Sequence, residues 1–545
     1  MEITETVRAW GTIPGMLRAR VRERPSAVVV ADGSVVLTLA EVAARAREVA
    51  RGLMALGVER GDRVGVLAPN GWTWVVAACG VWDCGGVLVP LSTRFRGLEA
   101  VEVLRATGVR VLLASEHFMG TSYVGLIAAA GEGAGRPFAG LPGLRQVVVA
   151  DAEDGDAVLG RDGVMAYGEM LARGAAVRTG DAEARAGSVR PGDLCELLST
   201  SGTTGAPKAV MLDHRQILRG YLEWSAVVTL REGDRYPVVS PFSHGFGLNA
   251  GLLACLMRGA TIVPVAVFDP DDLMARVERL GVTVLAGPPA LFHRLLSALR
   301  DGRRDVSSLR VGICGAAAVP PELVRALLRP VAEGGAGVER MINAYGLIEG
   351  TVVSMTRDGD PVEVIAATAG RAIPGVEITV VDDESRPLPP GRRGEILVRG
   401  HGVMRGYWHD PVRTAETVDP AGRLHTGDIG ELDPAGNITI VDRKKDVFIV
   451  GGFNAYPAEI ESLLLRNPEI AQAAVVAIPD AAQGEVAAAW VVPSPGASPT
   501  PATLTAWSQA NMSNFKVPRL FTLLDSLPVN ANGKVDKAAL RTDPS

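Results

Sequence analysis

The feature that most constrains the fold is an alternation of helical and strand-like segments. Residues 39–56 carry Ala, Val and Leu at helical spacing, and Thr38 with Glu41 three residues later forms a capping box. Short β-branched runs follow at 63–68 and 86–90, with further buried-strand patterns at 110–114, 146–149 and 283–286. Helices interleaved with short apolar strands predict an α/β fold, a large layered N-terminal domain with several sheets. Residues 131–142 and 151–192 are Gly- or charge-rich and read as surface excursions. No repeat period is visible. The pattern changes near residue 446. An amphipathic helix at 458–465, strands at 471–479 and 486–493, a Pro/Ser loop at 493–501, a helix at 502–510, a strand at 519–524 and a last helix from Val535 describe a small α+β domain. The 545 residues accommodate both, so the expected division is 1–444 and 445–545.

Composition excludes several classes. Net charge is −6, with 55 Lys+Arg against 61 Asp+Glu, so there is no basic footprint for nucleic acid. The longest apolar run, 74–82, ends at Asp83 and is too short for a membrane span. The acidic start, Glu2 and Glu5, is unlike a signal peptide, and the five cysteines are scattered without CxxC spacing, which predicts a cytoplasmic protein with buried thiols. No HExxH-like cluster is present, so a metal is expected to arrive with a phosphate ligand. Six lysines stand among 55 basic residues: Lys208, Lys444, Lys445, Lys516, Lys534 and Lys537. A chain that uses Arg by default marks each Lys as a place where a flexible point charge serves better than a planar fork.

After a strand entry at 193–198 comes Ser199, Thr200, Ser201, Gly202, Thr203, Thr204, Gly205, Ala206, Pro207 and Lys208, with Asp213 placed to cap the next helix. Small residues let backbone N–H groups approach a phosphate, and hydroxyls and a lysine add donors. It is not a Walker loop, because Pro precedes Lys208 and Ala209 follows it.

This loop resembles the signature of the adenylate-forming (ANL) superfamily, which includes acyl-CoA synthetases, peptide-synthetase adenylation domains and luciferases. Further segments resemble the family's motifs in order: Phe242 to Gly247 around His244, Gly315 with Ala316 and Ala317, Tyr345 with Gly346 through Glu349, His425 to Asp428, Asp442 with Arg443, Gly451 and Gly452 with Phe453 to Pro457, and Asn532 to Lys534. The resemblance implies a two-step reaction, in which a carboxylic acid and ATP give an acyl-adenylate and a thiol, usually of CoA, then displaces AMP. It implies Lys534, Mg²⁺ held by Glu349, and the Thr200–Lys208 loop as the charge-neutralising set. It places His244 beside the acyl pocket, Tyr345 with Gly346 and Gly315 to Ala317 at adenine, and Asp428 with Arg443 at ribose. Gly451, Gly452 and Phe453 would guide pantetheine, and Lys445 would be the hinge of a mobile C-terminal lid. ATP/AMP, Mg²⁺ and CoA are the implied cofactors.

Two departures matter. Ala209 stands where many relatives have Gly, and Ile348 stands where relatives usually carry a Thr that donates to phosphate. Loss of that donor leaves two expectations: a neighbouring hydroxyl substitutes and both steps run, or adenylation is weak or lost and the acyl group is transferred to CoA from an acyl-adenylate supplied by a partner adenylating enzyme. Residues 244–251 contain no acid to bind an α-amino group, which disfavours an amino-acid adenylation domain. Eight residues follow Lys537, too few for a carrier domain, so a free-standing ligase is expected. Gly245, Gly247, Ala250 and Gly251 suggest room for a bulky acyl group, and the nearest resemblance is to actinobacterial ligases for fatty, sterol-derived or terpenoid acids. A homodimer is compatible with this expectation. The alternatives are a non-catalytic relative that binds nucleotide or acyl-adenylate, and an amino-acid adenylation domain.

Overall fold

A computed structural model describes residues 2–95, 97–131, 138–151, 156–200, 208–287, 289–300, 305–315, 319–444, 446–450, 453–480, 483–512, 514–530 and 534–542. Contacts divide the chain into two compact units, Met1–Glu377 with Val398–Leu424, and Ile378–Leu397 with His425–Ser545. This division falls earlier in the sequence than the expected one at 444/445.

The first unit is built on three sheets. A seven-stranded sheet runs Lys208–Asp213, Leu194–Thr200, Val87–Pro90, Arg63–Leu67, Val111–Ala114, Gln146–Val149 and Val164–Ala166. All its neighbours are parallel except the first pair. Val87–Pro90 and Val111–Ala114 are buried at every position, as a parallel sheet covered on both faces requires. A second sheet places Val284–Gly287, Val311–Gly315 and Arg340–Leu347 in parallel, then Thr351–Met355 and Arg371–Ala372 antiparallel. The third orders Arg235–Val238, Thr261–Pro264, Val28–Asp32 and Val35–Thr38.

The helices follow the sequence signals. The Thr38/Glu41 capping box opens Leu39–Ala55. The apolar run from 74 to 82 lies in helix Trp72–Asp83, with Trp74 and Trp82 fully buried. These two helices pack through Gly80, where a Cβ would lie 2.5 Å from Val49 Cγ1. Among the described residues no helix is long and apolar enough to cross a membrane. All five cysteines are free and buried, and burial pushes the thiols of Cys79, Cys84 and Cys314 up to about 12.

One expectation is corrected. Residues 151–192 are not a simple surface excursion. They supply the edge strand Val164–Ala166 and helices Tyr167–Gly174 and Thr179–Gly187, which bury Met170, Ala182 and Ala186. Their buried faces are narrow and alanine-rich, so charge dominates the pattern. Phe138 and Leu141, in the other supposed excursion, join the core beside the seven-stranded sheet.

The second unit holds most of a sheet ordered Val376–Val381, Gly394–Gly400, Leu424–Leu432 and Ile438–Arg443. A second sheet runs Phe453–Ala455, Phe448–Val450, Gly484–Pro493 and Ile470–Asp480, with Leu520–Leu523 parallel to Gly484–Pro493. Helices Pro457–Leu464 and Pro501–Asn511 bury Ile460, Leu464 and Leu504 beside Val475, Ala489 and Phe521. The last helix is Lys537–Thr542, two residues later than expected. Val535 instead bridges Val529 across a hairpin.

Candidate active site

In the first unit the site residues lie at strand ends and hairpin tips. Leu194–Thr200 and Lys208–Asp213 form an antiparallel pair in which Thr200 faces Lys208, so the Gly-rich segment joins two strands. Its residues Ser201, Gly202, Thr203, Thr204 and Gly205 lie outside the described residues. Asp213 ends the second strand and caps helix His214–Val227 through a capping box with Gln216.

Gly315 ends its strand opposite Ala344, which places it beside Tyr345 at the carboxyl ends of two parallel strands, the usual ligand edge of an α/β sheet. Ala316 and Ala317 lie outside the described residues. Gly346 sits at a register shift, and a Cβ there would lie 2.4 Å from the Thr351 carbonyl oxygen, so glycine is required. The hairpin tip carries Ile348 and Glu349, and Thr351 behind it adopts φ 55° with its buried hydroxyl lacking a hydrogen-bond partner. A left-handed β-branched residue is uncommon and costs conformational energy.

Glu349 is held from the segment 402–408. The Met404 N–H donates to the Glu349 carbonyl at 2.8 Å, and the Tyr407 hydroxyl donates to Glu349 Oε1 at 3.0 Å. Lys208 Nζ stands 4.9 Å from the Tyr407 ring centroid. Burial, reinforced by the adjacent carboxylate, holds the Tyr407 phenol well above its ordinary value, so it acts as a donor. Met211 N–H to Gly406 O, Arg405 N–H to Met211 O and Trp408 N–H to Ala209 O fix this segment along the free edge of Lys208–Asp213. Tyr407 was not singled out from the sequence. The available signal was a Gly followed by an adjacent Tyr-Trp pair in a chain of 7 Tyr and 8 Trp.

His244 precedes a π-helix, Phe246–Leu253, a rare element often found at functional sites. The Phe246 N–H donates to His244 Nδ1 at 3.2 Å, so the neutral ring carries its proton on Nε2. A Cβ on Gly245 would lie 3.2 Å from Leu198 Cδ1 and 4.0 Å from Ile348 Cγ1, which brings the His244 segment, the strand entering the Gly-rich loop and the Glu349 hairpin together. Gly247 and Gly251 do not open space. A Cβ on Gly247 would meet the Pro241 carbonyl at 2.2 Å, and one on Gly251 the Val238 side chain at 2.6 Å, so these glycines serve backbone packing.

Beneath this wall, Asn249 Nδ2 donates to Glu196 Oε1 at 2.9 Å. Glu196 is fully buried, and burial pushes its carboxyl up to about 8. Glu196 Oε2 and Asn249 Oδ1 are both buried without a partner.

In the second unit, Asp428 and Arg443 face each other across the antiparallel pair Leu424–Leu432 and Ile438–Arg443. Asp428 is buried, its N–H donates to Thr426 Oγ1 at 3.1 Å, and Thr426 Oγ1 donates to the Ile396 carbonyl at 2.7 Å. Lys444 pairs with Glu395 at 3.0 Å, and Asp442 accepts the Ala458 N–H at 2.7 Å at the start of helix Pro457–Leu464. Lys534 is exposed on a hairpin, its N–H donating to Asn530 Oδ1 at 3.1 Å and its carbonyl accepting the Asn530 N–H at 2.7 Å. Phe453 begins a strand paired with Val450. Lys445, Gly451 and Gly452 lie outside the described residues.

Residues 17–408 match the AMP-binding enzyme family and residues 459–534 the AMP-binding enzyme C-terminal domain. The chain belongs to the AMP-binding enzyme family. This AMP-binding enzyme is 40% identical over 533 residues to a Rhodococcus jostii protein named a 7a-methyl-1,5-dioxo-octahydro-1H-inden-4-yl-propanoyl:CoA ligase, covering 98% of each chain. A Mycobacterium tuberculosis protein of the same name is 40% identical over 534 residues, with 97% and 98% covered. An anthranilate CoA ligase solved with anthranoyl-AMP superposes with a TM-score of 0.85 over 99% of this chain and 98% of that one, at 24% identity, which shows the shared ANL fold. The AMP-binding enzyme is thus an acid–thiol ligase of the acyl-CoA synthetase type.

Proposed function

We propose that this enzyme joins a bulky, largely apolar carboxylic acid to CoA through an acyl-adenylate. The observation that carries the reading is full-length 40% identity to a ligase named for a bicyclic dioxo-indenyl propanoyl group. A carboxylate oxygen attacks the α-phosphorus of ATP and the bond to pyrophosphate breaks. The CoA sulfur then attacks the acyl carbonyl and AMP leaves. Lys534 would neutralise charge in the first step. Lys208 and the loop from Thr200 would hold phosphate, Tyr345 with Gly346 and Gly315 to Ala317 adenine, and Asp428 with Arg443 ribose. Gly451, Gly452 and Phe453 would guide pantetheine, Lys445 would be the hinge, and His244 would stand at the acyl pocket. The five buried thiols support a cytoplasmic setting.

Glu349 would hold Mg²⁺. Among the described residues no cluster of three or more His, Cys, Asp or Glu could cage a metal. A single carboxylate completed by phosphate oxygens suits that ion, which when bound neutralises charge on the phosphates.

Purified enzyme with ATP, Mg²⁺ and CoA is expected to make acyl-CoA from bicyclic keto acids faster than from straight-chain acids, read by mass spectrometry. Preference for straight-chain acids would contradict the substrate class. Lys534→Ala should lower pyrophosphate exchange by at least about a hundredfold while acyl-CoA formation from synthetic acyl-adenylate persists. Equal loss of both steps would remove that role.

A second reading concerns Ile348. Its Cγ1 would lie 4.0 Å from a Cβ on Gly245, and the side chain offers no donor where a hydroxyl is expected. One charge-assisted hydrogen bond is worth about 1.5–3 kcal/mol, or about ten- to a hundredfold in rate. Under this reading Ile348→Thr raises pyrophosphate exchange by that factor, and the natural partner supplies acyl-adenylate. Unchanged exchange would dismiss it.

A further inference from the structure

Three features of the first unit compete for an unassigned role: the Glu196–Asn249 pair, the strained Thr351, and Tyr407. The first two are buried within the fold. Tyr407 alone reaches two separate groups of the expected phosphate site.

We propose that Tyr407 is a positioning residue for MgATP, holding the Glu349 carboxylate and the Lys208 ammonium in one fixed arrangement. The inference rests on the reading of Glu349 as the Mg²⁺ ligand. Two ends of one side chain do the work. The hydroxyl donates to Glu349 Oε1 at 3.0 Å, and the ring lies 4.9 Å from Lys208 Nζ. A donor on one carboxylate oxygen restricts rotation about the last side-chain torsion. A ring face beneath an ammonium holds a flexible lysine without neutralising its charge.

The backbone around Tyr407 is built to keep it there. Val210 pairs with it directly, the Tyr407 N–H donates to Thr414 Oγ1 at 2.9 Å, and only 5% of the Tyr407 surface is exposed. Gly406 adopts φ 131°, and a Cβ there would lie 2.8 Å from Thr414 Cγ2, so the turn that delivers the tyrosine needs glycine. Glu349 is gripped twice by one segment, at its carbonyl by Met404 and at its carboxylate by Tyr407. The metal-binding group would therefore be preorganised before nucleotide arrives, which limits the ordering cost of binding.

Tyr407→Phe keeps the ring and removes only the donor. Binding of a non-hydrolysable ATP analogue is measured by calorimetry with Mg²⁺ and with EDTA, beside Glu349→Gln. The wild type should gain affinity from Mg²⁺, and Tyr407→Phe should lose about tenfold of that gain with metal-free binding unchanged. Acyl-CoA formation from supplied acyl-adenylate should stay at the wild-type rate, and the melting temperature should hold. Wild-type Mg²⁺ dependence in Tyr407→Phe, with Glu349→Gln impaired, overturns this inference alone. Equal weakening of metal-free binding, thioester formation and melting temperature also overturns it, by making the residue structural. Wild-type behaviour of Glu349→Gln overturns the underlying reading of the metal ligand. Tyr407→Leu, which removes the ring as well, should also weaken metal-free binding through Lys208; unchanged metal-free binding overturns the second half of the proposal.

Discussion

Glu196→Gln isolates a buried acid on the strand that runs into the Gly-rich loop. Burial raises the Glu196 carboxyl from 4.5 to about 8, so it is neutral at pH 7. Neutral Glu196 carries one hydroxyl donor, which the two unpartnered atoms, its own Oε2 and Asn249 Oδ1, otherwise lack. An acid held protonated in the fold and ionised in the unfolded chain stabilises fully below pH 4.5. That stability drains as pH rises and is gone above about 8. At about 1.4 kcal/mol per pH unit, the loss is on the order of 5 kcal/mol at most. Glutamine has the shape of the neutral acid and keeps both a donor and an acceptor, but does not titrate. Melting temperatures of wild type and Glu196→Gln are compared from pH 5 to pH 9. The two should coincide near pH 5, and the variant should become progressively more stable toward pH 8.5. Parallel curves across the range, or a variant that gains relative to wild type toward acid pH, would refute the assignment of a neutral Glu196.

Two further substitutions test the geometry. Gly346→Ala forces a methyl against the Thr351 carbonyl and should cost about 1–3 kcal/mol with loss of nucleotide binding; an unchanged melt and unchanged AMP affinity would contradict the close approach. Lys445→Pro should impair thioester formation more than adenylation, because a hinge needs free backbone torsions; equal loss in the two half-reaction assays would remove the hinge.

The parts of this molecule legible in its sequence are those set by local chemistry. Thr38 with Glu41 and Asp213 capped the helices expected of them, because a cap needs only its own turn. Strands 111–114 and 146–149 were visible because a doubly covered parallel strand carries an unbroken apolar run, here Val111–Ala114 and the three valines after Gln146. Asp428 and Arg443 were paired only through resemblance, and the cross-strand register gives the physical reason. Tyr407 stayed hidden because its partners lie 58 and 199 positions away along the chain. Gly247 and Gly251 misled, since small size serves close backbone packing as readily as an open pocket. Glu196 was missed because one acid between Cys195 and Leu197 carries no periodic signal, and only its burial beside Asn249 makes it unusual.

The most direct test of the account is acyl-CoA formation by the purified enzyme from a fused bicyclic propanoic acid, with ATP, Mg²⁺ and CoA and no other protein present. Acyl-CoA, AMP and pyrophosphate are expected in equal amounts. Acyl-CoA in the absence of ATP, or none when both ATP and synthetic acyl-adenylate are supplied with CoA, would contradict it.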